Sequence, residues 1–400
     1  MKIAGIIAEY NPFHNGHAEQ IRLLRSQYGF EGIVVCMSGC FTQRGEPALI
    51  SKEARAKAAV ASGADLVLEL PVPYATGSAE FFAGGGVRLL SSLGCVDTLA
   101  FGMEDPEEEA LKELSRRLYV LEHSGDYHKS ITSLTKQGMT YPLARMRLLE
   151  EEGASDKELS LLSSPNDLLA VEYAKAVLSL HSSLELLPLF RKGAAYHEDR
   201  LPREADAEDA HSSAKAIRTF IQTAGASAAA PRLSAYLPKA SMEAILSEQP
   251  VFPESFSDEL YYQLIMHEQE GYSGFLDVSE DYSDKIRKLL PEYRGWESFA
   301  ALLKSRDITA SRISRMLLHI LLGIGKYPFF HIVKNSEIPY CRILALDPDS
   351  PMLHELKSSP LPRFTNPYPY FKKLKTGNER SLLALELLSE KLYHLKNRTS

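Results

Sequence analysis

Short apolar runs alternate with amphipathic stretches through the first half of the chain. Residues 2–8 (KIAGIIA) are apolar at nearly every position, which predicts a strand buried on both faces, and residues 16–27 then change to helical spacing. The same change recurs. A strand at 32–37 (GIVVCM) leads through a Gly- and Pro-punctuated loop to an Ala-rich helix at 52–62. A strand at 65–70 (DLVLEL) is stopped by Pro71 and Pro73, and a helix at 78–93 leads to a fourth strand at 97–102 (DTLAFG). Residues 183–190 (SLELLPLF) predict a fifth. Continuous apolar strands separated by helices predict a parallel sheet covered on both sides. The first half therefore reads as an α/β, Rossmann-like doubly wound domain.

The texture changes after about residue 224. The small-residue stretch 225–231 (GASAAAP) suits a linker, and beyond it the chain reads as mainly helical to about 325, with a Gly-containing break at GYSGF. The last segment mixes a short strand at 340–346, a Pro-rich loop at 350–370 and a closing helix at 378–395. The expected organisation is two domains, 1–225 and 226–400, the second mainly helical. No internal repeat is visible. The acidic run EDPEEE at 104–109 reads as a solvated helix start, where carboxylates suit the macrodipole.

Composition narrows the class. With 400 residues, 44% hydrophobic and 24% charged, the chain can fill an ordinary core, which excludes a disordered or fibrous protein. Cys36, Cys40, Cys95 and Cys341 are too few and scattered for a disulfide framework, and no second pair follows Cys36 and Cys40 at zinc-ligand spacing, so buried thiols are expected. The N-terminal residues meet Asn11, Pro12 and His14 too soon for a signal peptide. No apolar run approaches the ~18 residues of a membrane span. A cytoplasmic protein is expected, with no membrane partner. The net charge of −7 weighs, as a sum, against a nucleic-acid partner.

The sharpest chemical feature is His14-Asn15-Gly16-His17, which follows the first predicted strand and opens the first predicted helix. A helix N-terminus offers unpaired N–H groups and the positive end of a dipole, so an anion is stabilised there. Gly16 lets the backbone approach a phosphate with no Cβ in the way. Imidazoles three residues apart share one side of the first turn and can donate hydrogen bonds to phosphate oxygens. Donors fixed where charge accumulates accelerate nucleotidyl transfer without a covalent enzyme intermediate. Alone, the tetrapeptide also reads as two surface histidines at a cap. Its place at the first strand–helix junction favours chemistry, because ligands of such sheets bind at the carboxyl ends of the strands.

The arrangement resembles the HxGH nucleotidyltransferase superfamily, whose members activate an acid or a phosphate by attack on the α-phosphate of a nucleotide, releasing pyrophosphate. Longer motifs narrow the resemblance. GIIAEYNPFHNGH, MSGCFTQRGEPALISK, GADLVLELPVPYATGSAEFFAGGGVRLL, DTLAFGMED, LSSPNDLLAVEYAKA, RKGAAYHE and HSSAKAIR stand in the order of the tRNA(Met) cytidine acetate ligase family. The match is dense over the first ~220 residues and looser beyond. It implies a ligase that forms N4-acetylcytidine at the wobble position of elongator tRNA(Met). The implied substrates are ATP, free acetate and the tRNA, with an acetyl-adenylate intermediate, and Mg²⁺ accompanies the triphosphate.

Carried over position by position, the resemblance implies that Ile7, Ala8, Glu9, Tyr10, Asn11, Pro12, Phe13, His14, Asn15, Gly16, His17, Ala18, Glu19 and Gln20 wrap the nucleotide. His14 and His17 would be the catalytic pair on the phosphates. Gly102, just past the end of a strand, would leave room for adenosine, with a simple turn as its other reading. Asn166 sits in Ser164-Pro165-Asn166-Asp167, which reads as a helix start with Ser as N-cap and Pro at the first position. Arg191 follows the fifth strand, where a guanidinium can reach phosphate. Ser213 and Arg218 stand where the superfamily's Ser-Ser-Thr-x-x-Arg element contacts the triphosphate, although Ala214 takes its third position. Lys215 replaces a usual Thr, and Cys40 a usual Asn or His. Arg44, in a loop at the same sheet edge, is a candidate for phosphate or RNA contact. No carboxylate cluster forms a dedicated metal site.

Charge is unevenly distributed. Residues 285–326 and 357–398 each carry nine Lys and Arg against three acids, a balance of +6 apiece, which leaves −19 on the rest. Basic helices interleaved with Tyr293 and Trp296, and Lys372, Lys373 and Lys375, suit an RNA backbone. Arg306, Arg312 and Arg315 lie in a stretch resembling the family's tRNA-side helix, and the spacing of Arg312 and Arg315 predicts one shared face. Ile313, Met316, Leu317 and Ile320 would pack inward. The residues alone leave two other readings open: a small-molecule nucleotidyltransferase of cofactor or lipid biosynthesis, and a nucleotide-sensing RNA-binding protein without turnover.

Overall fold

The computed structural model describes residues 1–191, 201, 212–306, 308–330, 338–374 and 377–397. Five parallel strands come from the first half: Ile3–Ala8 (β1), Gly32–Ser38 (β2), Leu66–Leu70 (β3), Thr98–Met103 (β4) and Glu185–Phe190 (β5). Each lies within two residues of its predicted bounds. Two more come from the far end of the chain. Cys341–Leu346 (β6) runs antiparallel to β3, and Arg363–Phe364 (β7) runs parallel to β6. The sheet order is β5-β4-β1-β2-β3-β6-β7. From β1 the chain winds outward to β2 and β3, then returns to place β4 and β5 on the other side. The gap between the carboxyl ends of β1 and β4 is therefore the switch point of a doubly wound sheet, where a crevice opens.

Strand alternation explains the two faces. Ala4, Ile6, Ile33, Val35, Met37 and Val67 point to one side, where helices Asn15–Ser26 and Lys52–Ala61 bring Ile21, Leu24, Ala56 and Ala59. Ile3, Ile7, Val34, Cys36, Leu68 and Phe101 point to the other, against helices Ala79–Ser92 and Pro165–Ser179. That second core continues without a break into Trp296, Met316, Leu387 and Tyr393. The sequence places a boundary between residues 225 and 226, yet the C-terminal half returns to the sheet. β3 would otherwise be an apolar strand with an open edge, and β6 covers it.

Two local differences have simple causes. The stretch expected as a linker forms helix Ala226–Leu233, because four alanines favour helix more than their small size favours flexibility; Gly225, at a φ of +80°, makes the turn into it. Trp296, expected to interleave the basic surface, is 1% exposed and packs in the core. The four cysteines are free thiols, three of them buried, as the spacing predicts. Burial pushes the Cys40 thiol up to about 12, so it stays a neutral filler beside Lys52 and Glu69. Among the described residues no helix is long and apolar enough to cross a membrane.

Candidate functional site

The loop from β1 into the first helix is set by its backbone. Tyr10 takes a φ of +48°, the Asn11-Pro12 bond is cis, and Asn11 Oδ1 accepts the Leu49 N–H at 2.7 Å. His14 is then the N-cap of Asn15–Ser26, one residue earlier than the predicted start allows. Its Nδ1 accepts the Gly16 N–H at 3.1 Å, and His17 Nδ1 accepts the His14 N–H at 3.2 Å. Two imidazoles thus fill the roles that Ser and Glu take in an ordinary capping box. The rings stack, with centroids 3.7 Å apart, and His17 also packs on Tyr10 at 4.7 Å.

This geometry fixes the protons. A ring nitrogen that accepts an N–H cannot carry a proton itself, so each imidazole, when neutral, carries it on Nε2. Burial, and then repulsion from His14 and Arg191, hold His17 well below the usual imidazole value of 6.5. At neutral pH His17 is therefore an uncharged donor.

The second wall comes from β4, β5 and helix Pro165–Ser179. That helix begins as the spacing predicts, with Ser164 Oγ accepting the Asp167 N–H at 3.5 Å. Asn166 Oδ1 accepts from Arg191 Nη1 at 3.4 Å, and its Nδ2 donates to Glu104 Oε1 at 3.1 Å. Gly102 lies inside β4 rather than past its end. A Cβ there would stand 2.7 Å from Arg191 Cγ, so the missing side chain is what lets the Arg191 stem cross the strand end. The Arg191 charge reaches His17, and the two residues follow β5 and β1, the strands on either side of β4. The rest of RKGAAYHE lies outside the described residues, as do His211 of HSSAKAIR, Asp307, Lys375 and Arg398.

Loop 42–46 closes the third side. Gln43 N–H donates to Glu9 Oε1 at 2.8 Å, and Arg44 Nε lies 3.8 Å from Glu9 Oε2. Arg218 donates to the Asn11 carbonyl at 2.7 Å and to Glu46 Oε2 at 3.1 Å, so it braces the two loops against each other. Ser213 caps helix Ala214–Ala224 by accepting the Ala216 N–H at 3.0 Å. Gly45, with a φ of +77°, lies so close to helix Ala310–Leu322 that a Cβ would come within 2.3 Å of the Arg315 nitrogen. Loop 42–46 thus rests directly on the helix that carries Arg312.

On that helix the two arginines part company. Arg312 is exposed, whereas Arg315 is buried, with Nε 3.0 Å from Asp277 Oδ2. Arg306 is exposed, as are Lys372 and Lys373. Ile313, Met316, Leu317 and Ile320 pack inward as predicted. Sequence reading passed over Arg55, Lys52 and Asp277. The signal available for the first two was a pair of cations in the first turn of a helix whose other residues are mostly alanine.

The comparisons agree with this geometry. A family model described as HIGH Nucleotidyl Transferase matches residues 1–400. A tRNA(Met) cytidine acetate ligase of Thermoanaerobacter pseudethanolicus is 36% identical over 397 residues, spanning 97% of this chain and 94% of the relative. One from Clostridium acetobutylicum is 34% identical over 409 residues, spanning 100% and 96%. The crystal structure of Thermotoga maritima TmcAL bound with alpha-thio ATP superposes with a TM-score of 0.86 at 30% identity, covering 99% of this chain and 95% of that one. The nucleotide-free form of the same protein gives 0.88 at 29% identity, with the same coverage. This chain belongs to the tRNA(Met) cytidine acetate ligase family of HIGH nucleotidyltransferases.

Proposed function

We propose that the protein is an ATP-dependent ligase that activates acetate as acetyl-adenylate and transfers the acetyl group to N4 of the wobble cytidine of elongator tRNA(Met). The observation that carries the reading is the reciprocal His14–His17 cap at the β1/β4 crevice, with Arg191 and Asn166 opposite. In the first step an acetate oxygen attacks the α-phosphate and pyrophosphate leaves. The Nε2–H groups of His14 and His17 stabilise the charge that grows on the phosphate oxygens, and Arg191 adds a cation. In the second step the cytosine N4 attacks the acetyl carbon, the bond to AMP breaks and the amine loses a proton. An anticodon-loop base leaves its stack cheaply, which suits a crevice of this kind.

Residues 1–225 would carry activation and 226–400 the RNA, with Arg306 and Arg312 on the tRNA side and Arg44 where the two meet. Ser213 and Arg218 serve this site through the loops they cap and brace. Mg²⁺ is expected to enter on the triphosphate as part of the substrate, because adjacent anionic oxygens need it for neutralisation. A tRNA substrate places the enzyme in the cytoplasm. The test is exchange of labelled pyrophosphate into ATP. Exchange should require acetate and proceed without tRNA; exchange indifferent to acetate, or acetate label accumulating in a stable small nucleotide and never in RNA, would contradict the proposal.

A further inference from the structure

We infer that Arg55, in the stretch LISKEAR after the 42–46 loop, is a positioning residue for the nucleotide site, acting through the backbone carbonyls it holds. The inference rests on the nucleotide-activating reading above. Arg55 lies in the first turn of Lys52–Ala61 and is fully buried. Its Nη1 donates to the carbonyls of Glu9 at 2.7 Å and Ser38 at 3.1 Å, its Nε to that of Ile50 at 3.2 Å, and its Nη2 to that of Gly39. The acceptors come from three segments: the end of β1, the end of β2, and the residue before the Ser51 cap.

Where parallel strands diverge at their carboxyl ends, the last carbonyls lose their ladder partners and need others. Arg55 supplies them at the two roots that matter. Glu9 immediately precedes Tyr10 and the turn into His14, and Gly39 begins the loop that carries Arg44. One guanidinium therefore sets both loops relative to each other. Five N–H groups in a rigid plane can serve a fan of carbonyls, which a lysine ammonium cannot. The hydrogen bonds of Arg55 all go to carbonyls, and Glu53 and Glu69 act on its charge only from beyond hydrogen-bond distance, so a cation is buried where neutral donors would have served a purely structural brace at less cost. A fixed positive charge at the strand ends has its use when a triphosphate lies there. At the first residue of this turn, Lys52 Nζ bonds Glu69 at 2.7 Å and Glu390 at 3.2 Å, anchoring the helix to β3 and to the C-terminal helix.

The test compares Arg55→Met and Arg55→Lys with wild type in three titrations: thermal melting, ATP by calorimetry without acetate or tRNA, and tRNA by filter binding. Arg55→Met is expected to melt cooperatively, to bind tRNA within ~2-fold of wild type, and to bind ATP ~30-fold more weakly, with Arg55→Lys recovering part of the loss. Should Arg55→Met not fold, Arg55→Lys carries the test, with a ~5-fold loss for ATP and none for tRNA. ATP affinity within ~2-fold of wild type in a folded variant overturns the inference. So does an equal loss of ATP and tRNA binding, the mark of a generally loosened fold. Wild-type protein that binds no ATP would instead sink the proposed function, and the same calorimetry reads it first.

Discussion

The proton on His17 decides what the first helical turn can do. Its Nδ1 receives the His14 N–H, so protonating the ring would set two N–H groups against each other and open the cap. Because its value in the fold lies below the usual 6.5, the unfolded chain takes up the proton first. The stability tied to neutral His17 is thus complete above about 6.5 and is lost as pH falls below it. His17→Ala should lower acetate-dependent pyrophosphate release by ~10²-fold or more and flatten the acid side of the stability profile, leaving tRNA affinity nearly intact. Unchanged turnover would refute its role. Gly102→Ala should push Arg191 off the strand end; ATP titration would then read a KM raised about tenfold, with little change for tRNA. The spacing of the two histidines was legible in the sequence. Their reciprocal hydrogen bonds were not, because these depend on the backbone path through Tyr10, Asn11 and Pro12.

Helices divide their charged residues more finely than spacing suggests. Three positions along a helix turn a side chain by ~60° from its neighbour on the same face. Between Arg312 and Arg315 that rotation separates solvent from a groove containing Asp277 and His319. Arg312→Ala should therefore leave melting unchanged and weaken tRNA binding, while Arg315→Ala should cost about 2 kcal/mol of stability by removing the charge-assisted hydrogen bond to the half-buried Asp277. Denaturant unfolding of the two variants separates these outcomes. The C-terminal helix Asn378–His394 shows the same division. Burial alone would raise Glu390, but the Arg342 hydrogen bond and Lys52 hold it down to about 2, while burial and then the charge of Glu69 push Glu386 up to about 8. An acid raised in the fold contributes stability that is full below its ordinary value of 4.5 and is lost as pH rises through 8. Glu386→Gln should make the melting temperature less dependent on pH between those limits; an unaltered profile would mean that Glu386 is ionised throughout.

At the scale of the whole molecule, the sign of the net charge misleads and its distribution does not. Two stretches of +6 lie in the second half of a chain that sums to −7. Several of those cations are nevertheless occupied within the fold: Arg315 on Asp277, Lys396 on Glu259 at 2.7 Å, and Arg380 on the Leu374 carbonyl at 2.5 Å. Salt dependence of tRNA binding should accordingly have a shallower slope than a count of basic residues gives, and Arg306→Ala or Arg312→Ala should each reduce it by about one. The five parallel strands and the placement of the HNGH turn were readable because apolar runs and their spacing are local. The return of β6 to the sheet edge, the pairing of Arg315 and the carbonyls around Arg55 were not, because each joins segments far apart in the chain. The same long-range contacts seat the 42–46 loop directly on helix Ala310–Leu322. The most direct measurement is nucleoside mass spectrometry of tRNA(Met) after incubation with ATP and isotopically labelled acetate. The account predicts labelled N4-acetylcytidine at the wobble position with one AMP formed per acetyl group; ATP consumed without label in that nucleoside would contradict it.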